Sequence, residues 1–340
     1  MSINNEAELE ELLSRPGEQE IAAMKALDGD LLILGCGGKM GPSLARLARR
    51  SVEAAGVRKR IIAVARFSSP RVRGELDAAG IETIAADLLE PEALAALPDI
   101  PNIIFMAARK FGTTGAEHLT WAMNTMLPGL VAERFRASRI AAFSTGNIYG
   151  LRPAVWGGAT ESCALAPEGE YAQSALGRER MFEYGSSRWQ TPVTLLRLNY
   201  AVDLRYGVLV DIALAVYRQE PVDLRMGLVN VIWQGDANSM ALRSLAHCQS
   251  PPLVLNITGP ETLSVREVAR QFGERFGNEP VFSGEEAPTA LLSNAARAHR
   301  LLGYPRVSAA QMMDWVADWI VQGGPLLNKP THFQTRDGQF

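Results

Sequence analysis

Cysteine is scarce in this 340-residue chain: Cys36, Cys163 and Cys248 are its only three, an odd number without metal-ligand spacing. That argues against a disulfide framework and fits a reducing compartment. The four histidines, His118, His247, His299 and His332, lie far apart and offer no metal pair. No apolar run approaches the roughly 20 residues that a membrane span needs. The N-terminal Met-Ser-Ile-Asn-Asn-Glu has none of the basic-then-apolar character of a signal peptide. An excess of positive charge is missing too: 34 basic against 37 acidic residues give a net charge of −3, with no basic stripe. Such a balance argues against nucleic acid as a partner. What remains is a cytoplasmic globular protein with a small-molecule ligand. Its 47% hydrophobic and 21% charged residues are ordinary for that class, and its length suits two domains or one elaborated domain.

What the chain does have is a glycine-dense turn in a suggestive place. Leu31-Leu-Ile-Leu reads as a buried strand, and Gly35-Cys-Gly-Gly38-Lys39-Met40-Gly41 follows at once. Met40, Leu44, Leu47 and Ala48 then recur at helical spacing, with Pro42 where a first helical turn tolerates proline. Strand, turn and helix start make an anion cradle: backbone N–H groups and the positive dipole end hold a pyrophosphate. Glycine turns also serve plain strand-to-helix packing, but the order strand, turn, helix favours a dinucleotide.

The remaining pattern alternates. Strands are expected at 31–34, 61–65, 82–85, 102–107, 139–144, 193–198 and 253–257. Helices are expected near 41–55, 70–79, 91–96, 117–136 and 171–184. Two short helices, 6–13 and 18–27, precede them and should pack beside the first strand. Strands alternating with helices predict a doubly wound parallel α/β sheet, with ligands at the carboxyl ends of its strands. Residues just after each strand therefore matter most. Arg66 follows the second strand, where an acidic residue suits NAD and an arginine suits a 2′-phosphate. With Lys39 it tilts the cofactor toward NADP, although both could equally be solvated surface cations. Asp87 and Leu88 follow the third strand, where a carboxylate meets an adenine amino group or caps a helix. Met106, Ala107 and Ala108 follow the fourth and leave room for the cofactor backbone. Helix 117–136 carries Leu119, Trp121, Met123, Met126, Leu130 and Val131, an apolar surface wide enough for the sheet and a partner subunit.

The fifth strand runs into Ser144-Thr145-Gly146-Asn147-Ile148-Tyr149-Gly150, and Glu161 to Pro167 lead to Tyr171 at a helix start. In these residues, and in Gly35, Gly38 and Gly41, the chain resembles the extended short-chain dehydrogenase/reductases, the NAD-dependent epimerase/dehydratase family. The likeness runs from about Asp30 to Pro305. It includes Val254-Leu-Asn-Ile-Thr-Gly259, the capping box Ser264-x-x-Glu267 and the stretch Asn294 to Pro305. The resemblance implies a Rossmann domain (30–200 plus about 228–260) and a smaller, discontinuous C-terminal substrate lobe (about 201–227 plus 261–340), behind an N-terminal helical extension (1–29). It implies NAD(P), held by Gly35, Gly38, Lys39, Met40, Gly41, Arg66, Asp87, Leu88, Met106, Ala107, Ala108, Ser144 and Tyr171. It makes Tyr171 the group that exchanges a proton with a substrate carbinol, and Thr145 the hydrogen-bond donor to the developing charge. Asn147, Arg197 and Asn199 fall near the substrate, and a homodimer is expected.

One position departs from the pattern. The family's lysine four residues after the tyrosine is Ala175 here. A free tyrosine, with a pKa near 10, is about 0.1% ionised at pH 7, and recovering that factor corresponds to roughly 4 kcal/mol. Lys110, on the loop after the fourth strand, is the candidate replacement cation. Arg178 shares the helical face of Tyr171 but lies two turns on. The expected function is hydride-transfer chemistry on a sugar, sugar nucleotide or related polyol: epimerisation, dehydration or dehydrogenation. The alternative is a catalytically silent NAD(P)-binding sensor or scaffold. The last helix, with Met312, Trp315, Val316, Trp319 and Ile320, reads as core. The stretch from Gly323 onward lacks periodicity and is expected to be loose or draped over the surface.

Overall fold

Seven strands, all but the edge strand Glu82–Ala85 largely buried, build the centre of the molecule, a computed structural model that describes residues 3–338. They are β1 (Leu31–Leu34), β2 (Ile61–Ala65), β3 (Glu82–Ala85), β4 (Asn102–Phe105), β5 (Arg139–Thr145), β6 (Val193–Leu198) and β7 (Leu253–Ile257). All pair in parallel, in the order β7-β6-β5-β4-β1-β2-β3. In β1 the side chains of Leu31 and Ile33 enter one core, and those of Leu32 and Leu34 the other. That is period-2 geometry with both faces covered. Each such aliphatic side chain contributes roughly 1.5–3 kcal/mol on leaving water.

The helices fall on both faces. Against one lie α2 (Glu18–Ala26) and α3 (Gly41–Ala54), with α4 (Pro70–Ala78) contributing Leu76. α5 (Pro91–Ala95) packs on the opposite face. It is joined there by α7 (Leu127–Arg134), which continues α6 (Glu117–Trp121) through a π-helical turn, Ala122–Met126. Pro128 cannot donate to the carbonyl of Asn124, and the wide turn falls at that point. α8 (Gly169–Trp189) covers the same face through Phe182. It runs to Trp189 rather than residue 184, with Gly185 and Ser186 buried in its last turns and Ser186 Oγ donating to Ser250 Oγ. It stops at Gln190, in the left-handed conformation just ahead of Thr191-Pro192.

A separate core holds α9 (Val208–Tyr217), α11 (Val265–Phe276) and α13 (Ala309–Val321), where Trp233 and Trp315 meet edge to face at 5.4 Å. Val229, Val231 and Trp233 pack into this lobe. α10 (Gln234–Ser244) and α12 (Ala296–Leu302) return to the sheet. The two N-terminal helices part company. α2 packs Met24 beside the sheet, as expected, but α1 (Glu6–Leu13) sends Leu9 and Leu13 into the lobe core.

The C-terminal stretch is draped with definite contacts. Leu327 donates its N–H to Arg205 O, Phe333 is buried in the lobe core, and Arg336 donates to Thr289 O and Oγ1 and to Arg225 O. Within it, the backbone of Gly338 lies against Gly169 at the start of α8.

Candidate active site

The chain leaves β1 between β4 and β2, the point where strand order reverses, and the glycine turn sits there. Gly35 takes φ +87°, and a Cβ on it would come within 2.6 Å of the Ala107 backbone after β4. A Cβ on Gly41, the first residue of α3, would reach 2.1 Å from Cys36 O, so helix and turn touch backbone to backbone. At Gly38 the nearest atom stands 3.6 Å away, leaving its exposed face open for a ligand. A cleft of about 280 Å³ opens here, lined by Gly35, Gly38, Arg66, Asp87, Leu88 and Met106 among others. Ala107 and Ala108 complete the wall, and Phe67 and Met123, unforeseen from sequence, join it. Arg66 is exposed, 3.9 Å from the Asp87 carboxylate, while Asp87 Oδ1 accepts from Leu89 N and holds the turn after β3. An open glycine face, a carboxylate and an apolar wall together fit a dinucleotide. Met40 opens α3, its carbonyl accepting from Leu44 N and Ser43 Oγ.

At the same ends of the strands, α8 begins with Tyr171, which is buried. Lys110 Nζ lies 5.8 Å from the centre of its ring and 5.3 Å from that of Phe111. The C-terminal stretch closes over this lysine: Thr331 O stands 3.4 Å from Lys110 Nζ, while Thr331 N and Oγ1 donate to Asp211 Oδ2 at 2.8 and 2.6 Å. Burial pushes the Lys110 ammonium down to about 8, the like charge of Lys39 adds to this, and Asp211 opposes it. Burial also raises the Asp211 carboxyl, against its two bonds from Thr331. Thr145 ends β5 and is buried; its Oγ1 accepts from Asn147 N and Nδ2 at 3.2 and 2.8 Å. Ala175, one turn past Tyr171, is fully buried.

Four expected site residues stand elsewhere. Lys39 turns away from the Arg66 end: its ammonium donates to Ala201 O at 3.0 Å and sits 4.0 Å from the Tyr206 ring. It is deeply enclosed there although the residue as a whole is half-buried, and burial lowers it to about 8. Ser144 donates to Glu179 Oε1 at 2.5 Å, beneath the cleft. Arg197 pairs with the same Glu179 at 2.7 Å and donates to Tyr149 OH at 2.8 Å, in a buried ion pair. Asn199 is buried and donates to Asn230 Oδ1 at 2.6 Å. All three are polar because the region under the site is a hydrogen-bonded network, and a strand-end position alone does not distinguish network from cleft.

Sequence reading passed over Asn124 and Asp211. Asn124 exchanges hydrogen bonds with the backbone of Arg109 and donates to Ser174 Oγ. Asp211 is the lone charged residue on the otherwise apolar α9, which is the signal that marks it, whereas Asn124 sits among Thr120 and Thr125 and carries no such signal.

No family profile and no curated protein sequence matches the chain. Solved structures do. UDP-glucuronic acid 4-epimerase from Bacillus cereus, solved with UDP-glucuronic acid and NAD, superposes with a TM-score of 0.70 at 17% identity, over 86% of this chain and 99% of that one. The fold is that of the UDP-sugar 4-epimerases. UDP-glucose 4-epimerase of Thermus thermophilus, in complex with NAD, gives 0.69 at 18% identity, over 85% and 98%. The Thermotoga maritima UDP-glucose 4-epimerase, with UDP-glucose, gives 0.69 at 17%, over 86% and 99%. Among the described residues no helix is long and apolar enough to cross a membrane, and no cluster of three or more metal-ligating side chains occurs.

Proposed function

We propose that this chain is an NAD(P)-dependent enzyme of the epimerase/dehydratase type, acting by hydride transfer at a carbinol of a sugar nucleotide or related polyol. One observation carries the reading: the open glycine cleft and the pair Tyr171 and Lys110 stand at the same ends of the parallel strands. The backbone of Gly35 to Gly41 would hold the pyrophosphate, Asp87 and Leu88 the adenine end, and Met106 to Ala108 the passage toward Tyr171. When bound, the nicotinamide accepts and returns a hydride. The Tyr171 hydroxyl takes the carbinol proton and gives it back, Thr145 hydrogen-bonds the same oxygen, and Asn147 orients Thr145. Incubation with NAD and a panel of UDP-glucose, UDP-galactose and UDP-glucuronic acid, followed at 340 nm and by product NMR, tests this. Stoichiometric NAD binding with no hydride exchange on the panel would favour the second reading, a silent cofactor-binding sensor, for which Ala175 speaks.

Lys110 takes the part of the missing lysine in this proposal. The groups facing it are Lys39 from the glycine turn, Asp211 from α9, Tyr171 from α8, and Thr331 and His332 from the C-terminal stretch. It is charged below about 8 and loses its proton above. Hydride transfer should therefore fall as pH rises through that value. Lys110→Arg should abolish this alkaline limb, and Lys110→Ala should lower the rate below about 8 and match the unaltered protein above it. Unchanged turnover in Lys110→Ala removes the lysine from the mechanism.

The preference for NADP rests on Arg66 alone once Lys39 is turned away. Arg66→Ala should weaken NADP about tenfold relative to NAD, as expected for one charge-assisted contact in water; tighter NAD binding by the unaltered protein would cancel the preference. A homodimer is part of the same proposal. Leu119, Trp121, Met126 and Tyr184 are exposed along α6, its π-helical continuation and α8, and sedimentation at twice the 37.0 kDa chain mass tests it.

A further inference from the structure

Arg178 is buried, and among the described residues no carboxylate pairs with it. Its Nη1 donates to Phe143 O at 2.8 Å and its Nη2 to Asn124 Oδ1 at 2.9 Å, while Nε has no partner. The adjacent Glu179 is neutralised by Arg197 and further held by Ser144. A guanidinium in such surroundings keeps its charge, and burying it against two neutral carbonyls is expensive. The cost makes an unmatched charge a pointer to function.

Its position adds to this. Side chains on a helix lean toward the N-terminus, so Arg178 reaches back toward the turn that holds Ser174 and Ala175. Asn124 fixes the reach, because it donates to Ser174 Oγ while accepting from Arg178. The guanidinium therefore lies beside the turn that follows Tyr171, at the level where Ala175 contributes only a methyl group. Electrostatic interaction with Tyr171 and Glu179 works to hold the Arg178 charge against the downward push of burial. The other groups near Tyr171 are Lys110 from the loop after β4 and Tyr206 from the lobe.

We propose that Arg178 is a positioning residue for Tyr171: a fixed buried cation, reaching up from two turns below, that acts alongside Lys110 to stabilise the phenolate where Ala175 supplies no charge. Unlike Lys110, it does not titrate in the working range. The inference rests on the reading of Tyr171 as the proton-exchanging group, but not on any particular substrate.

The test reads Tyr171 without turnover. Tyrosinate absorbance at 295 nm is followed against pH in the NAD-loaded protein and in its Tyr171→Phe variant, and the difference isolates one phenol. Arg178→Gln keeps hydrogen-bond donors and removes the charge; the isolated signal should move alkaline by a factor of about 10 to 100 in proton concentration, as for a unit charge at medium range. Arg178→Lys should move it less than threefold. The double variant Ala175→Lys/Arg178→Gln should restore it, although the contacts to Phe143 and Asn124 stay altered. Equal behaviour of Arg178→Gln and Arg178→Lys would overturn the proposal, and so would failure of the double variant to restore the signal while NAD still binds. A signal that moves as described in a protein inactive on every UDP-sugar would leave this inference standing and defeat the proposed function.

Discussion

Tyr171→Phe is expected to slow reduction of bound NAD by about 1,000-fold, within the range for removal of a positioned acid-base group. The variant keeps the ring that lies near Lys110 and loses only the hydroxyl that moves the proton. Thr145 cannot take over: its Oγ1 is held by both donors of Asn147, and an aliphatic hydroxyl is a poor base. NAD affinity should change only a few-fold, because the glycine cleft is lined by other residues. Single-turnover absorbance at 340 nm gives the rate, and calorimetry gives the affinity. A rate within tenfold of the unaltered protein would remove Tyr171 from the chemistry.

Arg197→Met should destabilise the fold by about 3–5 kcal/mol, the usual result of leaving one partner of a buried ion pair alone. Glu179 is fully buried and would keep only the Ser144 hydroxyl, while Tyr149 OH would lose one of its two partners and keep Asn256. Glu179→Gln/Arg197→Met together should cost less than the sum of the single changes, since no charge is then stranded. Urea denaturation of the four proteins measures both quantities. A loss below 1 kcal/mol in Arg197→Met, with weakened UDP-sugar binding, would return Arg197 to the substrate site.

The parts of this fold that sequence made legible are those where one physical demand dominates. Strands buried on both faces must be apolar throughout or alternate between two cores, and Leu31 to Leu34 can do little else. Gly35 is legible for a similar reason: its left-handed φ and its closeness to Ala107 leave no room for another residue. α10 is hard to read from sequence because Gln234, Asp236, Asn238 and Ser239 are buried alongside Ala237, Met240 and Ala241, so polar and apolar residues do not separate into an outer and an inner face. Its buried polar residues are held by hydrogen bonds with Ser43, Glu20 and Val307. Arg197 and Ser144 bond Glu179, and a polar residue at a strand end looks the same in sequence whether it faces a ligand or another side chain. The reach of the C-terminal stretch to Gly169 has no periodic signature. It is held by individual contacts of Thr331, Phe333 and Arg336.

A crystal structure of the protein soaked with NAD shows most directly where a dinucleotide lies. The predicted result has the pyrophosphate on the backbone N–H groups between Gly35 and Gly41, the adenine near Asp87 and Leu88, and the nicotinamide ribose beside the Tyr171 hydroxyl. A dinucleotide bound away from the glycine turn, or a Tyr171 hydroxyl turned from the nicotinamide, would contradict it.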